Sequence, residues 1–136
     1  MDAKSATERS EELQNRLIAF ADRCLTMLQS LPRNRVGTAN FKDQLSRSST
    51  AIAANYAEAT APESKRDFAS KMSKALKEAK ESRTWLFLIS KRGYFAESRL
   101  RPLLDEINAI IRIIGAGVST TRKHIADEAY SDDDGQ

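Results

Sequence analysis

Cysteine is almost missing from this 136-residue chain: Cys24 stands alone, so no intramolecular disulfide and no cysteine-based metal site can form. Its place inside a helical apolar pattern predicts a buried core thiol, with a reactive thiol as the alternative. Histidine is as scarce. One His124 removes the paired Glu-x-x-His motifs of a di-iron bundle and most Cys-His or Ser-His-Asp arrangements, and a histidine so near the end predicts a solvated surface residue. With only 5 glycines and 3 prolines, a collagen-like or low-complexity chain is excluded. No run approaches the ~20 consecutive apolar residues that cross a bilayer, and Met1-Asp2-Ala3-Lys4-Ser5 lacks the apolar core of a secretory signal. The expectation is a cytoplasmic protein that needs no membrane, no metal and no cofactor.

Apolar residues make up 40% and charged residues 30%, the balance of one folded helical domain. The charge is placed unevenly. All 22 lysines and arginines precede residue 127 and five of the 19 acids follow Ala126, which leaves residues 1–126 with a formal charge of +8. Such a body attracts polyanions, nucleic acid or an acidic protein face; a lysine-rich surface that merely keeps the protein soluble is the plain alternative.

Apolar residues alternating at steps of four and three mark four helices. The first, about 8–31, carries Leu13, Leu17, Phe20, Cys24, Met27 and Leu31, and Pro32 stops it. Arg33 and Arg35 sit in the following loop, and Thr38 is a plausible N-cap for the second helix. That helix, about 39–60, carries Phe41, Leu45, Ser48, Ile52, Asn55 and Ala59; its two polar members should bond across to another helix and fix the register. Thr60-Ala61-Pro62-Glu63 breaks the pattern. A third helix, about 64–92, is capped by Ser64, lined by Phe68, Met72, Ala75, Ala79, Ser82, Leu86 and Ile89, and ended by Gly93. Its small middle residues invite a close neighbour. The fourth, about 99–125, is the most apolar, with Leu100, Leu104, Ile107, Ile111, Ile114 and Val118 widened by Leu103, Ile110 and Ile113. Residues 127–136 are too polar to pack and read as a disordered acidic tail. Short connections between rods of roughly 20 residues force antiparallel neighbours, hence an all-α, up-down-up-down four-helix bundle over residues 1–126.

Lys71, Lys74, Lys77 and Lys80 recur at steps of three, with Lys65 and Arg66 before them and Lys91 and Arg92 after them, so the third helix carries the strongest basic stripe. Met by phosphates, it would bind with steep salt dependence and little sequence preference; as a solvated face it would do nothing. Catalysis has a foothold only in Glu58, Glu78 and Glu81, and would require them to cluster with strongly raised pKa values. No enzyme is expected.

The stretch Arg47-Ser48-Ser49-Thr50-Ala51-Ile52-Ala53-Ala54-Asn55-Tyr56-Ala57-Glu58-Ala59, then Ser64-Lys65-Arg66-Asp67-Phe68, then Ala75 through Leu86 including Trp85, resembles the four helix bundle protein family. That bacterial family is related to proteins encoded in the intervening sequences of 23S ribosomal RNA genes. The likeness is close over helices two and three and looser over Gly93-Tyr94 and Leu103 to Ile114. It implies the bundle fold and a homopentameric barrel. More distantly, the chain is similar to the basic pentameric accessory proteins of diversity-generating retroelements, which bind nucleic acid and a reverse transcriptase. The family signature falls on Asn55 and Glu58, and its third-helix acids on Glu78 and Glu81; Ala59 stands where many members have glycine. The function expected is a homo-oligomer that associates with RNA or structured nucleic acid, or else a protein adaptor, with the contact beside Trp85 or on the fourth helix.

Overall fold

The computed structural model describes residues 3–61 and 64–134. Met1 and Asp2, the predicted breaker Pro62-Glu63 and the tail residues Gly135-Gln136 lie outside them. Four helices make up the fold: α1 (Ala6–Gln29), α2 (Thr38–Ala59), α3 (Lys65–Arg92) and α4 (Glu97–Asp134), with no strand among the described residues.

The helix ends follow from local chemistry. Ser5 caps α1 by accepting from the Glu8 amide at 3.1 Å, two residues earlier than the sequence suggested. Ser64 caps α3 in the same way through the Asp67 amide at 3.0 Å. Thr38 is not the N-cap of α2. Gly37 holds that place at φ +91°, a backbone that glycine alone adopts without strain, and the Thr38 hydroxyl instead donates to the Arg35 carbonyl at 2.9 Å. At the far end of α3, Gly93 adopts φ +72° and closes the helix behind Lys91 and Arg92. The predicted disordered tail is also corrected: α4 runs on as helix to Asp134. Lys65 at the start of α3 pairs with Glu128 there, a partner that the pattern along one helix does not reveal.

The predicted stripes turn inward, with Leu17, Phe20, Cys24, Leu45, Ile52, Ala75, Ala79, Leu86, Ile89, Ile107, Ile110 and Ile114 among the fully buried residues. Each large aliphatic or aromatic side chain so placed contributes about 1.5–3 kcal/mol. Phe68 and Leu13 are only half-buried, and Ala69 takes an inward place beside Phe68. Cross-helix bonds pair rising numbers with falling ones, as antiparallel neighbours require: Arg47 with Glu81, Ser48 with Ser82 and Glu58 with Lys71 between α2 and α3. Arg83 with Asn108 and Ser73 with Arg122 do the same between α3 and α4. The α1/α4 seam is the sparsest, tied by the two-pronged Arg16–Glu106 pair at 2.7 and 2.8 Å and by Arg99 donating to the Ser30 hydroxyl at 3.1 Å.

The two polar residues of the α2 stripe behave differently. Ser48 is fully buried and accepts from the Ser82 hydroxyl of α3 at 2.9 Å, the cross-helix bond its position called for. Asn55 does not cross. It sits at the edge of the stripe and donates to its own Ala51 carbonyl at 2.8 Å, because the next inward place on α2 is taken by the buried Tyr56.

Two outcomes test this core. Ser82→Ala strands the Ser48 hydroxyl and is expected to cost about 1–3 kcal/mol in urea unfolding, whereas the S48A/S82A double variant costs less than the two single changes together. Additive losses would show that the pair is uncoupled. Burial pushes the Cys24 thiol up to about 12, so a disulfide reagent at pH 8 should modify the native protein far more slowly than the denatured one.

Candidate nucleic-acid interface

Because Met72, Ala75, Ala79, Ser82 and Leu86 face inward, the opposite side of α3 is fixed as well. Arg66, Ser70, Ser73, Lys74 and Lys77 line one wall of a groove of about 570 Å³, and Arg122 and Ile125 of α4 line the other. A second hollow continues from it through Ser73, Lys77 and Arg122 to Lys80 and Thr84. Arg122 is held across the gap by donating to the Ser73 hydroxyl at 2.9 Å. Among the described residues no carboxylate lies within 4 Å of Arg66, Lys74, Lys77, Lys80 or Arg122. The one acid of the lining, Glu81, has Arg47 of α2 at 3.8 Å.

The basic residues singled out from the sequence therefore divide. Lys74, Lys77, Lys80 and Arg66 meet on this groove. Lys71 does not, since steps of three carry it round to the α2 side, where Glu58 neutralises it at 3.1 Å. Lys65 is paired with Glu128. Lys91 and Arg92 are exposed at the other end of α3, Arg92 lying about 39 Å from Arg66 along the axis. Arg33 and Arg35 are exposed in the α1–α2 loop, apart from the groove. Sequence reasoning missed Arg122, Ser70 and Ser73. The available signal was the run Val118, Arg122, Ile125 on α4, a cation on an otherwise apolar stripe.

The family-motif residues support the frame instead. Burial, then the hydrogen bond and charge of Glu81, hold the Glu78 carboxyl above the ordinary glutamate range, while Arg47 and Lys77 pull it back. Glu58 is drawn away to Lys71, about 10 Å from Glu78 along the α3 axis, so the three acids do not converge. No group of three or more His, Cys, Asp or Glu suited to a metal ion occurs among the described residues. Trp85 is half-buried with its ring centroid 6.4 Å from that of Phe41, and Phe87 and Leu88 beside it are 48% and 40% exposed. Gly93 serves as the cap of α3. A larger hollow, about 680 Å³ between the start of α1 and Ile113, lies elsewhere, lined by Leu13, Ala59 and Phe68 and by the cations Arg9 and Arg16. Arg16 is committed to Glu106 and Arg9 donates to the Lys4 carbonyl at 2.7 Å, so the α3/α4 groove, with Arg66, Lys74, Lys77, Lys80 and Arg122, is the better candidate for charge chemistry. No described helix is long and apolar enough to cross a membrane.

Four packed helices with a cation-lined outer groove define the class: an all-α bundle with no strand among the described residues. Within that class the chain belongs to the 23S rRNA-intervening sequence protein family, whose model matches residues 9–116. Its fold is also similar to the crystal structure of a protein with unknown function from the S23 ribosomal protein family of Bacteroides thetaiotaomicron VPI-5482. The two share 27% identity and a TM-score of 0.69 over 78% of this chain and 97% of that one. No curated protein matches the chain. Arg122 and the acidic end of α4 lie beyond the matched span.

A carboxyl held above its ordinary range makes the folded state bind a proton more tightly than the unfolded one, so its ionisation lowers stability as pH rises. Glu78→Gln is therefore expected to raise the melting temperature at pH 7 and to leave it almost unchanged at about pH 2.5, below the ordinary glutamate range, where both states are protonated. Calorimetry at the two pH values checks this, and a drop at pH 7 would contradict it.

Proposed function

We propose that the chain is a non-catalytic, homo-oligomeric protein that binds RNA or structured nucleic acid through its phosphates, with the α3/α4 groove as the contact. The observation that carries this reading is the convergence of Arg66, Lys74, Lys77, Lys80 and Arg122 on one surface with no carboxylate within 4 Å among the described residues. A nucleic acid carries condensed counter-cations, and unpaired protein cations that neutralise its phosphates release them with a gain of entropy. Ser70 and Ser73 add hydroxyls along the same track, whereas Thr84 donates its own to the Lys80 carbonyl at 3.2 Å. The groove lining contains no aromatic side chain on which a base can stack, so backbone contact dominates and sequence preference is weak. The pentamer implied by the family resemblance would repeat the groove around a ring and multiply weak contacts into useful affinity.

Mobility-shift titrations of ribosomal RNA fragments over 25–200 mM salt test the proposal, with light scattering for the assembly. The K77A/K80A/R122A variant is expected to flatten the slope of log affinity against log salt by about 0.7–0.9 for each phosphate it no longer engages. Absence of any shift at low salt, or a slope that the variant does not change, removes the groove from consideration. A second reading, an adaptor that docks a protein, is favoured only by the exposed Phe87 and Leu88 next to Trp85. It would gain if one specific partner survived nuclease treatment and no longer bound after Phe87→Ser.

A further inference from the structure

The acidic end of α4 is ordered against the basic start of α3, and its placement gives it a task. Past Ala126 the helix continues, and Ile125, Glu128, Ala129 and Asp132 fall on one side of it. With Ser64, Lys65 and Arg66 they enclose a hollow of about 370 Å³. Glu128 is bonded to Lys65 there. Arg66 lines this hollow and also the α3/α4 groove, so the two share a wall. The ends that meet are electrically opposite: the first turn of α3 presents free amides and the positive end of its dipole, and the last turns of α4 present the negative end of theirs plus carboxylates.

Resting on nucleic-acid binding by the groove, we propose that the acidic end of α4 is a built-in competitor for it, an intramolecular anion that occupies Lys65 beside Arg66 at the groove mouth until a nucleic acid displaces it. An exposed ion pair is weak and yields readily, yet its carboxylates are tethered and so always at hand. A phosphate backbone that extends past Arg66 to Lys65 must break the Lys65–Glu128 bond. A strand that engages only Lys77, Lys80 and Arg122 need not. The competitor therefore acts on polyanions long enough to span the whole track, and weakens their hold at the Arg66 end.

The test is made in the full-length chain with isosteric changes. E128Q/D132N removes two charges at the groove mouth, and E11Q/D22N removes the same two charges from exposed positions on α1. Circular dichroism first establishes that both keep their helix content. Binding of a 20-base-pair RNA duplex at 50 mM salt is expected to tighten about 3- to 10-fold for E128Q/D132N, with its salt slope steeper by about 0.7–0.9 per cation released, and to change less than about 2-fold for E11Q/D22N. Equal gains for both variants would show that net charge alone matters and would overturn the competitor while leaving nucleic-acid binding intact. If neither variant nor the parent binds the duplex at all, both the binding and the competitor fall.

Discussion

The close approach of α2 and α3 is the constraint on which the remaining geometry depends. Ala75, Ala79 and Ser82 give α3 a flat side, and Ser48 of α2 meets it at Ser82. Small side chains let the helix axes come near, and a buried hydroxyl pair then fixes how each rod is turned about its own axis. A hydrophobic seam alone tolerates some rotation; a hydrogen bond buried within it does not, because turning either helix would leave an unsatisfied hydroxyl in an apolar setting. Once α3 is turned, the directions of Lys74, Lys77 and Lys80 are determined by helical geometry. The cationic surface is thus a by-product of how the interior packs.

Electrostatics act on that frame in two ways. Arg16, Arg47, Lys65, Lys71 and Arg101 are matched by carboxylates, and these matches join helix to helix or span one turn. Each exposed pair contributes little stability. Their larger effect is subtraction: by absorbing Lys65 and Lys71 on either flank, they leave Arg66, Lys74, Lys77, Lys80 and Arg122 as the cations of the α3/α4 groove, while Arg33, Arg35, Lys91 and Arg92 lie apart from it. The formal charge of the body is therefore a poor guide to where the field is strongest.

Much of the architecture was legible because its cause is periodic. Stripes at steps of four and three identified the inward residues of every helix, and Ser64 and Gly93 announced the ends of α3 through chemistry that acts within a few residues. Some expectations gave way to a sequence neighbour, as Thr38 did to Gly37 and Asn55 to Tyr56, and others to partners far away in sequence. Asn55 faced inward by register, but Tyr56 outcompetes it for the interior. Lys71 belonged to a basic run, but Glu58 claims it. Residues 127–134 read as too polar to pack, but α4 continues as helix through them and Lys65 at the start of α3 pairs with Glu128. Arg122 could not be assigned to a surface shared with Lys77 until the α3/α4 register was known. A single sequence shows what a helix contributes and conceals what it meets.

The thin seam between α1 and α4 has a consequence for motion. Among the described residues α3 packs extensively against both α2 and α4, whereas α1 leans on α2 and reaches α4 mainly through a guanidinium, a hydroxyl and a few side chains. Local opening is drawn from the element with the least tertiary support. The barrel therefore has one stave that can lift without dismantling the others, and the greasy flank it would uncover, Leu17, Phe20 and Cys24, is the surface that such breathing intermittently offers to the surroundings.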